Sequence, residues 1–191
     1  MLLNLDLDIL YFFNQTLSAD WLDSVMIFLT NPRNWIPVYA LASIFLVWKY
    51  KWRGVRIIIA VAVLVGITNT ITNVFVKEWI GRPRPCATNA LGMPIIDWLR
   101  LPCGGRVGWS MPSSHAVNNF AVAMFFTLVI RKKSLTITLF IAAFIVSSTR
   151  LFLGLHYPTD IVAGAAMGVA FGFVFAKLYC IIEERYFNST P

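Results

Sequence analysis

The sequence predicts an all-α, polytopic membrane helix bundle, on three observations. Of its 191 residues 58% are hydrophobic, and the mean hydropathy is +0.70. Only 13% are charged, against roughly 25% in soluble domains. Apolar runs close to the roughly 20 residues that cross a bilayer recur at about 34–50, 56–76, 114–130, 135–155 and 159–182. These make five clear spans in a single domain, 1–191, with no internal repeat or linker.

Each element has its own reason. The opening run "MLLNLDLDILYFFNQTL" is interrupted by Asn4, Asp6 and Asp8, which suits a helix lying in the membrane interface. No lysine or arginine precedes Arg33, so this segment lacks the basic start of a secretory signal and is expected to be retained. "WLDSVMIFLT" at 21–30 is too short to cross alone. Joined to the preceding helix it offers a possible sixth span, so 1–31 reads as interfacial or partly spanning. In the last span Gly164, Gly168 and Gly172 recur every four residues, one helical face on which a neighbouring helix can approach closely.

The net charge of +7 does not indicate nucleic acid, because the basic residues sit at segment ends and not on one continuous face. The expected partners are the bilayer and a membrane lipid, with no obligatory protein partner. Two compact clusters, Lys49–Lys51–Arg53–Arg56 and Arg131–Lys132–Lys133, are separated by two spans and share one side. Arg33, Lys77, Arg82, Arg84, Arg100, Arg106 and Arg150 fall on the other, so a bare count of positive charge is tied.

Three polar clusters converge on that second side. In "KEWIGRPRP" a span ends with Lys77, Arg82 and Arg84 between prolines that halt the helix. In "MPSSHA", Pro112 and Ser113 mark a helix start, whose free N–H groups and dipole make an anion site beside His115. In "TRLFLGLHYPTD", Arg150 precedes His156, and Pro158 opens a helix whose first turn holds Asp160. Asp160 is then placed to accept a ring N–H from His156, fixing its tautomer and presenting the other nitrogen as a nucleophile or base. Several fixed cations suit the dispersed charge of a phosphoryl group better than the small oxyanion of acyl transfer. With two histidines and no carboxylate cluster, no metal and no cofactor are expected.

Lys77, six residues, Arg84-Pro85; Pro112-Ser113-Ser114-His115; and Arg150, five residues, His156, three residues, Asp160: together these resemble the three-part signature of the type 2 phosphatidic acid phosphatase superfamily. The resemblance implies metal-independent hydrolysis of a lipid phosphate or pyrophosphate through a phosphohistidine. By position, His156 would be the nucleophile, Asp160 its orienter and His115 the acid for the leaving oxygen. Lys77, Arg84, Arg150 and the Ser113–Ser114 backbone would hold the phosphate, with Arg82, Arg100 and Arg106 as further headgroup contacts. Two positions depart from the pattern: Ser114 replaces the usual glycine, and Thr149 the usual serine.

If a phosphate site needs the cations of its own face, only the two compact clusters remain as topology signals. That reading puts them in the cytoplasm and the site at the outer face of a bacterial inner membrane. The compact size is similar to that of bacterial members acting on lipid A, undecaprenyl pyrophosphate or phosphatidylglycerol phosphate. The expected extracytoplasmic loop, 86–111, carries arginine and tryptophan, which favours lipid A 1-phosphate or undecaprenyl pyrophosphate over phosphatidylglycerol phosphate or phosphatidic acid. Cys86 and Cys103 lie in that loop, where a disulfide is compatible with an oxidising compartment. The alternatives are a phosphotransferase and an inactive lipid-binding or transport relative. Transport is disfavoured by polar groups at the span ends instead of the midplane.

Overall fold

The computed structural model describes residues 2–87, 95–101 and 108–187, and side chains of its first helix from Asn4 onward. Among the described residues every regular element is a helix. The first, α1 (Leu2–Tyr11), runs into a π turn (Phe12–Thr16), and α2 (Asp20–Thr30) follows after a break. A 3-10 turn (Pro32–Trp35) leads into α3 (Ile36–Tyr50), which is followed by α4 (Trp52–Thr70). A second π turn (Ile71–Val76) carries α4 into the short α5 (Lys77–Ile80). The rest is α6 (Ser114–Ile130), α7 (Lys133–Phe152) and α8 (Pro158–Tyr186).

Three of these stretches, Trp52–Ile80, Lys133–Phe152 and Pro158–Tyr186, are long and apolar enough to cross a membrane. Helices α3 and α6 are apolar but have 15 and 17 residues. The chain is a membrane protein: its outward faces carry Leu41, Ile44, Ile59, Phe144, Val162 and Val174, all exposed. Exposed tryptophans mark both ends, Trp21 and Trp79 at one and Trp48 and Trp52 at the other, as interfacial aromatics do.

In lipid, apolar burial gives helices little reason to associate, so close packing and interhelical hydrogen bonds do the work. Both are present. The glycine stripe of α8 lies directly on α6: a Cβ at Gly164 would come 2.7 Å from the Ser113 carbonyl oxygen, and one at Gly168 or Gly172 would collide with the carbonyls of Val117 or Ala121. Around that seam Ile57, Leu64, Ala121, Phe125, Val129, Ala176 and Tyr179 form the core. Between α4 and α6, Thr68 Oγ1 donates to Asn118 Oδ1 at 2.7 Å, and Asn118 Nδ2 to Asn69 Oδ1 at 2.9 Å.

The N-terminal expectation needs correction. Residues 2–16 do not continue into 21–30 as one helix, and the polar positions of α1 do not simply face headgroups. Asp6 and Asn14 are buried, Asn14 donating to the Phe152 carbonyl at 2.8 Å. The helix is packed on the ends of α7 and α8, where Leu10 joins Ile96, Leu151 and Tyr157 in a second apolar cluster.

Candidate functional site

Helix ends build the site. Helix α5 stops at Gly81, whose left-handed backbone (φ 62°) suits glycine, and the Pro83–Pro85 segment then turns inward. Helix α6 begins at Ser114 with Ser113 as its N-cap, and α8 begins at Pro158 with Asp160 in its first turn. Arg150 comes from the last turn of α7. Lys77, Arg84, Ser113, Arg150, His156 and Asp160 are all buried at this one end of the bundle.

His156 is the centre, 2% exposed. Its Nδ1 lies 3.4 Å from Asp160 Oδ2, and its Nε2 lies 3.4 Å from Arg84 Nη1. Arginine can only donate, so its approach to Nε2 puts a lone pair there and the ring proton on Nδ1, the nitrogen nearer the Asp160 carboxylate. Burial, and then the charges of Arg150 and Arg84, push the imidazole down to about 3 against the pull of Asp160, so the ring is neutral at physiological pH. Asp160 is held in turn: Oδ2 accepts from the Tyr157 backbone N–H at 2.8 Å, and Oδ1 from Arg82 Nη1 at 2.8 Å. Arg84 also donates to the carbonyls of Leu155 at 3.3 Å and Gly108 at 3.2 Å.

His115 and Arg150 meet at a residue the sequence does not single out. Thr30, buried at the end of α2, has its carbonyl oxygen 3.2 Å from His115 Nε2, while its hydroxyl accepts from Arg150 Nη1 at 2.7 Å. A carbonyl can only accept, which puts a proton on His115 Nε2 and holds that N–H on Thr30, fixing the orientation of the ring.

Most expected site residues therefore share one region, with differences of detail. The Ser113 backbone N–H is used by the Asp160 carbonyl at 3.0 Å, so its part in an anion nest is already taken. Ser114, at the departure from glycine, turns its hydroxyl to Asn73 Oδ1 at 2.8 Å and so joins α6 to the π turn. Arg82 lies on two carboxylates and not at an open edge. Arg100 ties the loop to α2 through Asp20 at 2.6 Å and Asp23 at 2.9 Å, so its guanidinium is committed to protein carboxylates. Arg106 and Cys103 lie outside the described residues; Cys86 is disulfide-bonded and Cys180 is a free thiol. The described part of the loop is anchored by Trp98, which stacks edge-on against Tyr11 and accepts through its carbonyl from Gln15. Among the described residues no group of three or more His, Cys, Asp or Glu could hold a metal ion.

A family model described as the PAP2 superfamily matches residues 54–180. The chain belongs to the PAP2 superfamily. Lipid A 4'-phosphatase of Bacteroides thetaiotaomicron is 34% identical over 98% of this chain and 83% of its own length. The lipid A 4'-phosphatase of Porphyromonas gingivalis is 26% identical over 88% of this chain and 71% of its own. Among solved structures, the transmembrane PAP2-type phosphatidylglycerolphosphate phosphatase of Bacillus subtilis aligns with a TM-score of 0.69 at 23% identity, covering 97% of this chain and 89% of that one, a shared fold. The PAP2 match takes in the phosphate-signature segments from Lys77 to Asp160, the same stretch that folds into the polar end.

Proposed function

We propose that this PAP2 lipid phosphatase removes the 4'-phosphate of a lipid A-type glycolipid through a covalent intermediate on His156. The observation that carries the reading is the double engagement of His156: Asp160 on one ring nitrogen and Arg84 beside the other. The Nε2 lone pair attacks phosphorus, and the bond from phosphorus to the lipid oxygen breaks as His115, acting as an imidazolium, gives that oxygen a proton and becomes neutral. His115 then accepts a proton from water, whose oxygen attacks phosphorus; the N–P bond breaks, inorganic phosphate leaves and His156 is regenerated. Lys77, Arg84 and Arg150 stabilise the charge on the phosphoryl oxygens throughout.

Two relatives are named for the 4' position of lipid A, so the 1-phosphate favoured by the sequence reading gives way to the 4'-phosphate. Helices α3, α4–α5, α6, α7 and α8 are taken as five spans. The 3-10 turn before α3 lengthens a helix that alone reaches only about 22 Å at 1.5 Å per residue. The Lys49–Arg56 and Arg131–Lys133 clusters lie at the end opposite the site, consistent with Arg53 donating to the Val129 carbonyl at 3.4 Å. Those clusters support a reading with that end in the cytoplasm and the site at the outer face of an inner membrane.

The test is release of inorganic phosphate by purified protein from lipid A, undecaprenyl pyrophosphate, phosphatidylglycerol phosphate and phosphatidic acid, with product analysis of the lipid A reaction. Loss of the 4'-phosphate at the highest kcat/KM is expected. Turnover of none of the four would overturn the phosphatase reading, and preference for another lipid would overturn the substrate.

A further inference from the structure

We propose that Asp6 and Arg82 are positioning residues for the reaction: Asp6 shares the charge of Arg82, so that Arg82 fixes the Asp160 carboxylate without neutralising it. The inference depends on the reading of His156 as nucleophile. It adds a residue from the first helix to a site otherwise built from α2, the segment Lys77–Arg84 and the ends of α6, α7 and α8.

The geometry is a closed network. One guanidinium nitrogen of Arg82 donates to Asp160 Oδ1 at 2.8 Å and to Thr159 Oγ1 at 2.7 Å, and the other donates to Asp6 Oδ2 at 2.7 Å. Its plane lies over the Tyr157 ring, 3.9 Å from the centroid, which leaves the guanidinium little room to rotate. Asp6, 3% exposed, accepts the Thr159 backbone N–H at 2.9 Å and the Thr159 hydroxyl at 2.6 Å. A carboxylate from α1 thus caps the N-terminus of α8, the turn that carries Asp160.

The charge balance gives the functional consequence. Asp160 with Arg82 alone is a neutral pair, which would do little for positive charge developing on His156 during phosphoryl transfer. Asp6 with Arg82 and Asp160 is a net anion in contact with the imidazole, and the planar fork of arginine holds both carboxylates at once. Groups facing Asp160 are Arg82 from the segment after α5, Lys77 from α5, Asp6 from α1, and His156 and Tyr157 from the turn before α8. Arg84 and Arg150 face His156 itself.

The experiment compares Asp6→Asn, Arg82→Gln, Arg82→Lys and His156→Ala, purified in detergent and checked for folding by size exclusion and thermal melting. Asp6→Asn and Arg82→Gln should each lower kcat by about 10- to 100-fold, by analogy with loss of an outer-shell partner of a metal-bound histidine. KM should hold within about twofold, since neither residue touches the substrate. The acid limb of the pH profile separates positioning from mere folding. Removing the Arg82 cation lets the imidazole protonate more readily and moves the limb to higher pH, whereas removing the Asp6 anion moves it to lower pH. Arg82→Lys should return the limb towards its original position while recovering only part of kcat, because an ammonium cannot span both carboxylates. Should Arg82→Gln fail to fold, Asp6→Asn and Arg82→Lys carry the same test. Wild-type kcat in folded Asp6→Asn, limbs moving in the same direction, or a raised KM at unchanged kcat would overturn the inference. Turnover by His156→Ala would instead overturn the nucleophile on which it depends.

Discussion

The two ends of the bundle handle buried charge in opposite ways. At the end formed by Arg53, Arg56 and Glu183, one buried carboxylate is met by two arginines: Arg56 binds Glu183 through both its oxygens at 2.8 and 2.5 Å, and half-exposed Arg53 lies 3.9 Å away. At the other end the described side chains bring four cations, Lys77, Arg82, Arg84 and Arg150, against two carboxylates, Asp6 and Asp160. A surplus of two buried positive charges is costly unless an anion completes it, and a phosphate dianion has the matching charge. The first end is a clamp between α4 and α8; on the proposed function the second is a receptor. Helix termini explain how the second is built, since α6 and α8 both start there and bring the positive ends of their dipoles to the same end of the bundle.

The sharpest way to break this contrast is His156→Ala. If the polar end is catalytic, kcat should fall by about 10⁴-fold or more, as it does when an enzyme loses its nucleophile, with an unchanged melting profile. Phosphate release from the preferred lipid measures it. Residual turnover near that of the wild type would leave a charged cluster with no chemistry assigned to it.

Removing one cation tests the surplus itself. Arg84→Ala and Arg150→Ala should each cost about 10²- to 10³-fold in kcat, the usual loss for one donor to transition-state charge. Each should also relieve repulsion among the buried cations of the substrate-free protein. The measurement pairs kinetics with thermal melting: lower activity at equal or higher stability is expected, because functional charge is held at the expense of the resting fold. A fall in stability matching the fall in activity would make these residues structural, like those of the opposite end.

How much of this contrast was legible in the sequence depends on how local each feature is. Lys77, Arg84, His115, Arg150, His156 and Asp160 stand in short segments with fixed spacing, and helix starts at Ser114 and Pro158 were readable from proline and serine. The glycine stripe likewise gave a packing face, and that face does meet α6. Asp6 and Thr30 were not legible, because their partners are Thr159, Arg82, His115 and Arg150, between 76 and 153 positions away along the chain. No periodicity records such pairs. Asp6 looked like an interfacial residue because a polar side chain in an apolar run has the same appearance whether it faces headgroups or a buried arginine. The span count suffered from a related ambiguity: hydropathy at 34–50 and 114–130 does not distinguish a full crossing from the shorter helices α3 and α6.

A smaller effect is expected from pH. With His156 held down to about 3, its ring stays neutral between pH 5 and 8, and nitrogen-15 NMR of the labelled ring should show no titration there. A midpoint near 6.5 would mean an imidazole open to water. The sign for stability follows from linkage: the unfolded chain takes up this proton near its ordinary value of about 6.5, the folded chain only near 3. Folding therefore keeps the full contribution of this group above about pH 6.5 and loses it progressively as pH falls toward 3.

The smallest effect on catalysis should come from the opposite end, where the same operation is expected to have a different outcome. Arg56→Met removes the bidentate partner of Glu183, whose side chain is only 5% exposed, and takes away the cation resting 4.2 Å over the Phe187 ring. Arg53 remains within reach of the carboxylate, so the cost should be about 1–3 kcal/mol and not the full penalty of an isolated buried charge. Thermal melting should fall while kcat and KM per folded molecule stay at wild-type values. Adding Glu183→Leu should restore much of the loss, because two apolar side chains leave no charge to solvate. If Arg56→Met lowered kcat in fully folded protein, the clamp would be coupled through α4 and α8 to the catalytic end, and the division of labour between the two ends would have to be abandoned.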